Sequence, residues 1–421
     1  MALTGMAQVV VIEHVNVIPM TSNVVLKDQT VLVQDGRYAA IGGKVKVPAG
    51  AVRVDGKGKF LMPEFAEMHG HIPPPTASRE QTEDVLFLSV ANGVTTVRGM
   101  LGYEGRLELR EKSKRNEIVV PALYLAGPSF SGATVKSVAQ AVERVKQQKT
   151  EGWHLLKIHP GVPRDAYDAM AATAQSLGIR FSGHVPAAVG ILHALELRQE
   201  TIDHLDGYIE YLDKQGEPIA DAWMVEMASR TKAAGAAVVP TMALWETIIG
   251  AKDAAEVNAY PELQYMPRAM VTQWREAFQG RQSMFTFSRE KVDRVARDLK
   301  RLLKVFSEQG VKILFGTDAP QQYSVPGFSI HREMKVMAEA GMKPYDILRF
   351  GTASVGDYFK TKDAFGMIAT GQRGAAVLLD ANPLEAVANM RKVSGVLLRG
   401  KWISSAEIAK RLEAIAARYA R

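Results

Sequence analysis

The chain contains no cysteine. That excludes disulfides and thiolate metal sites, and it leaves the compartment open, since cytosolic and exported proteins both tolerate it. No stretch approaches the ~20 consecutive apolar residues of a membrane-spanning helix, so no membrane partner is expected. The segment from Met1 to Val11 lacks the basic start and apolar run of a secretory leader. A cytoplasmic location is expected for the chain as written, and a periplasmic or secreted one if a leader has been removed. There is no internal repeat, low-complexity tract or disordered linker. There is also no basic patch interleaved with aromatics. The net charge of +7 is spread along the chain, with one modest cluster at residues 291–304. In that cluster Val292, Val295, Leu299, Leu302 and Leu303 recur at helical spacing. The pattern predicts a helix with a solvated basic face, and no nucleic-acid partner is expected.

What is present is an ordinary globular composition, 47% hydrophobic and 23% charged. The 421 residues exceed the roughly 250 of a (β/α)8 barrel and leave a remainder for something smaller. The first sixty residues are β-rich, with short apolar runs broken at Asp35-Gly36, Gly42-Gly43 and Asp55-Gly56. The same texture returns late, at residues 366–368, 375–379, 393–398 and 401–403. Between them, apolar runs alternate with helical patterns, the texture of βα units. Eight strands are predicted: 60–62 continuing towards His69, 94–98, 122–126, 155–159, 179–184, 201–204, 237–240 and 313–318. Helices are predicted at 81–92, 135–148, 164–177, 191–197, 221–234 and 289–309. The expectation is an α/β protein: a (β/α)8 TIM barrel over residues 61–365. A small β-sandwich domain formed from both chain ends, 1–60 plus 366–421, completes it. The long insert at 244–287, carrying Trp245, Tyr260, Tyr265, Trp274 and Phe278, is placed to cover the barrel mouth.

His69-Gly70-His71 follows an apolar run. Histidines at i and i+2 of an extended segment point the same way and can bind one ion from one side. Lys157, His184, His204 and Asp318 each lie at or near the end of a later apolar run. Ligands delivered by the ends of successive strands are how a barrel builds an active site. Imidazole and carboxylate donors suit zinc first, with manganese and cobalt as alternatives. The reading is two divalent ions: His69, His71 and Asp318 on one, His184 and His204 on the other. Lys157 would repel both as an ammonium. It fits only if its neutral amine takes up CO2 to become a carbamate that bridges the ions. A bridging water would then ionise near neutral pH, and Asp318 would pass its proton to a leaving amine.

This set, with Gly316-Thr317-Asp318 and the β-rich ends, resembles the metal-dependent amidohydrolase superfamily across nearly the whole chain. The resemblance implies a binuclear hydrolase with a carboxylated Lys157. Lys157-Ile158-His159, Gly183-His184-Val185-Pro186 and Asp203-His204-Leu205-Asp206-Gly207-Tyr208 look like one branch. That branch holds imidazolonepropionase-like proteins, dipeptidases of the Xaa-Pro or carboxypeptidase-like kind, and enzymes opening ochratoxin-type aryl amides. The chain departs from the pattern before the paired histidines. Pro63-Glu64-Phe65-Ala66-Glu67-Met68 lacks the usual glycine and adds Glu64 and Glu67 beside the expected metals. Gly99 stands where relatives often carry Asp.

Three further residues are substrate candidates, each with a structural alternative. His159 shares strand parity with Lys157 and faces the mouth, as an oxyanion contact or a structural hydrogen-bonder. Tyr208 lies four residues past His204, to polarise the carbonyl or to pack in its loop. Arg98 ends the second strand, to pair with a substrate carboxylate or to form an internal salt bridge. The expected substrate is a small-molecule amide: a dipeptide, an N-acyl amino acid or an aryl amide. Deamination or cyclic-amide opening is the competing chemistry, and a non-catalytic scaffold the competing class. A homo-oligomer is expected.

Overall fold

A computed structural model of the chain describes residues 8–208, 219–284 and 288–420. Its strands, in chain order, begin with β1 (Val10–Val17), β2 (Leu26–Gln34), β3 (Arg37–Gly42), β4 (Val52–Asp55) and β5 (Phe60–Pro63). The central strands are β6 (Phe65–Gly70), β7 (Val94–Gly99), β8 (Ala122–Leu125), β9 (Leu155–Ile158), β10 (Arg180–Gly183), β11 (Thr201–Asp203), β12 (Ala237–Val239) and β13 (Lys312–Ile313). The last are β14 (Ala376–Leu379), β15 (Val393–Leu398) and β16 (Lys401–Ser404).

The two chain ends meet. Strands β16-β15-β14-β5-β1-β2-β3 hydrogen-bond in that order, with β4 also on β1, so eight strands from both termini share one hydrogen-bonded sheet. Alternation explains its buried side. Val10, Ile12, Val31, Val33, Leu61, Ala376 and Leu378 point inward to one apolar cluster, each large side chain contributing roughly 1.5–3 kcal/mol by leaving water. The apolar run before the paired histidines therefore divides. Its first part, β5, joins the terminal sheet, and its second, β6, joins the central strands. Residues 366–368, expected as a strand, run as an irregular segment. The C-terminal helix Ser405–Tyr419, opened by a Ser404/Glu407 capping box, packs on the helix Arg79–Ala91 and on the insert as well as on β15 and β16.

The central strands are all parallel and alternate with helices in a TIM-barrel-type α/β arrangement. Strands β9 to β13 form one five-stranded sheet and β6 to β8 a three-stranded one. Parallel bridges Ala126–Leu155 and Phe130–Ile158 link them on one side. On the other, the Met68 N–H donates to the Phe315 carbonyl and the Asp318 N–H to the His69 carbonyl. These strands are buried on both faces, which is why they read as continuous apolar runs rather than alternating ones. The eighth, expected over 313–318, is regular only at Lys312 and Ile313. Beyond it the chain keeps backbone bonds to β6 but turns through Asp318 at φ 61°.

Helix stops and starts follow local chemistry. Ser78, Ser137 and Ser288 accept a backbone N–H at helix starts. The helix Arg289–Glu308 buries Val292, Val295, Leu299, Leu302, Leu303 and Phe306 and leaves its basic face outward, where Lys300 pairs with Glu246 and Glu339. The insert folds as helices Met242–Ile248, Ala254–Asn258 and Arg268–Met284 with a short 3-10 turn at Pro261–Tyr265. Residues 285–287, at its end, lie outside the described residues.

Candidate metal centre

Parallel register sets the floor of the site. Lys157 pairs with Ser182, Ser182 with Thr201, and Thr201 with Ala237. His159, His184 and His204, two or three residues beyond their members of these pairs, therefore emerge at the same edge. Two glycines let the strands come this close. A Cβ on Gly183 would stand 2.5 Å from the Ile158 carbonyl oxygen, and one on Gly316 would stand 3.0 Å from the His69 nitrogen. His204, Thr241 and Asp318 all have left-handed backbone, at φ 63°, 47° and 61°. Such residues store about 1–3 kcal/mol of strain each, held by the surrounding structure, and cluster at functional sites.

The six residues expected as ligands are brought together. His71 Nε2 lies 2.6 Å from Asp318 Oδ1, and His69 Nε2 lies 3.5 Å from the same oxygen. His204 Nε2 stands 3.6 Å from Asp318 Oδ2. Lys157 Nζ is 3.1 Å from His69 Nε2. His184 completes the ring, its centroid 4.5 Å from that of His204. Ligand atoms of His69, His204 and Asp318 all lie within 4.8 Å of one another, a group able to hold a metal ion.

The opposite nitrogens explain the orientation. His69 Nδ1 stands 2.8 Å from Asp203 Oδ2, a charge contact without hydrogen-bond geometry. His184 Nδ1 faces Asp206 Oδ2 at 2.6 Å, and His204 Nδ1 faces Thr241 Oγ1 at 2.9 Å. At His184 the carboxylate on Nδ1 holds the proton there and leaves Nε2 with its lone pair towards the centre, the arrangement metal-bound histidines use. His204 Nε2 is buried and has no hydrogen-bond partner among the described residues. That orphaned nitrogen, in a nest of neutral imidazoles and a carboxylate, fits a divalent cation.

Electrostatics agree. Burial holds His69 and His204 well below the ordinary imidazole range and pushes His184 down to about 3, with Lys157 adding to each. Burial also lowers the fully enclosed Lys157 to about 8, although Asp203 and Asp318 pull it upward. A lysine there has a sizeable neutral fraction at physiological pH. Asp206 is raised to about 7, again chiefly by burial.

Above this floor opens a cavity of about 620 Å³, the size of a small-molecule site. Leu101, Tyr103, Leu244, Trp245, Ile248 and Met270 form its apolar wall. The last four come from the insert. The Trp245 indole N–H donates to the His204 carbonyl at 2.5 Å, tying that wall to the floor. His159 lines the same cavity, with its imidazole pushed down to about 2 by burial and then by Lys157.

Two expected substrate contacts lie elsewhere. Arg98 is fully buried below the mouth. Its guanidinium donates to the Met68 carbonyl at 2.6 Å, to Tyr358 at 3.2 Å and to Thr201 at 3.2 Å, with Asp203 at 3.4 Å. With its donors committed inside, it clamps the carboxylate behind His69 instead of meeting substrate. Tyr208 is also buried. Its hydroxyl shares a 2.5 Å bond with Thr231, and its ring meets Phe306 edge-on. Gly207, at φ 80°, turns it into the helix layer. The two glutamates do not face the cavity either. Glu67 accepts from the His69 and Thr317 N–H groups and the Thr317 hydroxyl. Glu64 lies at the far end of β6, bonded to Thr95, Thr96 and Arg373. The residues that sequence reasoning missed are Asp203, Asp206 and Thr241. The first two flank His204 within four residues and were visible as a pattern. Thr241 carries no signal.

The amidohydrolase family profile matches residues 60–403. The enamidase of Eubacterium barkeri is 25% identical over 203 residues, 44% of this chain. The chain spans about half of that relative's length, 53%. Among solved structures, bottromycin amidohydrolase superposes with a TM-score of 0.77 at 20% identity, covering 98% of this chain and 92% of its own. A Xaa-Pro dipeptidase with bound methionine gives 0.70 at 18% identity, over 94% of this chain and 100% of its own. At these identities the likeness to both structures is one of fold.

Proposed function

Because this chain belongs to the amidohydrolase family, whose members are hydrolases of amide and other C–N bonds, we propose that it is a binuclear metal-dependent amidase. Its substrate on this reading is an amide with an apolar arm, an N-acyl amino acid or an aryl amide in preference to a small polar dipeptide. In the same reading the two parallel sheets are arcs of one closed barrel, since backbone bonds bridge both pairs of edges. The observation that carries the proposal is the convergence of four imidazoles, Lys157 and Asp318 on the floor of one apolar-walled cavity.

His69, His71 and Asp318 would hold one ion and His184 and His204 the other, with zinc the first expectation for these donors. Bound there, the ions supply acidification of water and polarisation of the amide carbonyl. Lys157 supports this chemistry by its own: the neutral amine adds to the carbon of CO2, a proton leaves nitrogen, and an anionic carbamate results. Its low pKa, caused by burial, favours that step. Asp318 would accept the proton given up by the attacking water and return it to the amine nitrogen as the C–N bond breaks. Carboxylate and amine are the products. His159, held neutral, would donate a hydrogen bond to the carbonyl oxygen as charge builds on it.

The test is amine release from N-acyl amino acids, aryl amides including ochratoxin A, dipeptides and cyclic imides. Metal content is assayed on the same bicarbonate-treated sample. Two ions per chain with cleavage of the apolar amides is the expected result. A single ion and no amide cleavage would sink the proposal, and cleavage of cyclic imides alone would move it to ring opening.

A further inference from the structure

The strand ends remote from the metal centre border a second cavity, of about 470 Å³. Its wall is cationic. Arg110, Lys114, Lys362, Arg373 and Arg399 line it, against the carboxylates of Glu111 and Asp363. Two of these cations are matched. Arg373 pairs with Glu64 at 2.9 Å and Asp363 at 2.6 Å, and Arg110 pairs with Glu111 at 2.9 Å.

Arg399 is different. Its Nε donates to the Asn116 side-chain oxygen at 2.7 Å and an Nη to the Val120 carbonyl at 2.9 Å. Both acceptors are neutral. They hold the guanidinium in place without cancelling its charge. A partly buried charge lacking a counter-charge is unfavourable, and none of the described carboxylates comes within ion-pair distance of it. The backbone reinforces the placement, since Arg399 sits in the tight β15–β16 turn at φ 48°. The exposed Lys114 and Lys362 on the same wall also form no ion pair among the described residues. Neighbouring groups register the excess. Burial, and then Arg373, push Arg399 down to about 10. Burial, and then Arg110 and Lys362, push His154 on the same wall down to about 4.

We propose that this cavity binds a small phosphate-class dianion, free or carried on an organic molecule, with Arg399, Lys362 and Lys114 as its charge partners. Beyond those two bonds the guanidinium retains its Nη2 donors at a fixed position for an anion's oxygen, and the two ammonium groups act as adjustable point charges. Nothing in this inference depends on the reaction proposed for the metal centre.

Calorimetric titration of the metal-replete protein with inorganic phosphate and, separately, glycerol 3-phosphate tests it, with acetate as the monoanion control. Wild type is expected to bind a dianion at millimolar or lower concentration and acetate far more weakly. Which dianion binds tighter separates a free from an organic phosphate ligand. The double variant Lys114→Gln/Lys362→Gln changes only exposed side chains and is expected to weaken binding about tenfold, with Arg399→Gln weakening it further. Amidase activity without the anion is expected to be unchanged in the lysine variant. Equal dianion affinity in wild type and the lysine variant would overturn the proposal, because any heat would then come from the metal centre. Absence of dianion binding to wild type at millimolar concentration would overturn it too. Should Arg399→Gln fail to fold, the lysine variant still decides.

Discussion

The two ends of β6 use the same kinds of residue to opposite effect. At its start Glu64 is buried, yet every strong interaction is answered: Thr95 at 2.6 Å, Thr96 at 2.8 Å and the Arg373 guanidinium at 2.9 Å. At its finish His69 is equally buried, but its Nε2 is directed at Lys157 and Asp318 across an open cavity floor. One end closes a network on itself, which holds sheets together. The other gathers like-minded ligand atoms that only an added cation would reconcile. Burial alone therefore does not distinguish a structural from a chemical polar cluster. The distinction lies in whether donors and acceptors are paired off or converge.

Breaking the convergent end at Asp318, the proposed proton carrier, is expected to give the largest effect. Asp318→Asn should lower kcat for amide hydrolysis by about 10²–10⁴-fold, measured alongside metal content to separate lost proton transfer from lost ligand. At the closed end, Arg373→Met leaves Glu64 buried and uncompensated. It should cost about 3–5 kcal/mol of stability in urea unfolding while the fraction that stays folded keeps its metal and turnover. If that variant lost activity without losing stability, the contrast drawn between the two ends would fail. A finer probe is Asp203→Asn, which removes the negative charge beside His69 Nδ1. A drop of about 10–100-fold in metal affinity is expected, read by competition with a chelator, and at fixed free metal the loaded protein should lose roughly 1.4–2.7 kcal/mol of stability with it.

The smallest effect belongs to a buried histidine outside both ends. His331 bonds Asn92 at 3.0 Å, and burial lowers it to about 3. Its folded pKa lies below its unfolded one, so the unfolded chain binds the proton first as pH falls. The stability it protects is whole above about 6.5 and is lost between there and about 3, at no more than about 1.4 kcal/mol per pH unit. His331→Gln should flatten the urea midpoint's decline between pH 7 and pH 5 relative to wild type. An unchanged slope would mean that His331 is not protonated on unfolding.

Much of this was legible before any coordinates. Apolar runs ending in His184, His204 and Asp318 announced parallel strands with a shared functional edge, because strands buried on both faces cannot hide where they stop. The amphipathic pattern at 289–309 located its helix to within a residue. Less legible was the break between β5 and β6, where one apolar run serves two sheets and periodicity does not change. For Arg98 and Tyr208 substrate contact and internal bonding were both open, and the structure places them in internal bonds. Sequence position brings a residue to the rim, but a side chain's direction depends on a turn such as Gly207 and on which partners are within reach.

The sequence by itself determined the alternation of strands and helices, the meeting of the β-rich ends, and a donor set that excludes thiolate and suits a hard or borderline cation. These follow from residue type and spacing, which are local. Only the tertiary structure decided that Asp203, Asp206 and Thr241 stand behind the histidines, that the insert supplies the apolar wall, and that Arg399 has no counter-charge among the described residues. Each depends on which atoms meet across tens or hundreds of residues. Hydrogen-bond partnership between distant side chains, unlike periodicity, has no one-dimensional signature.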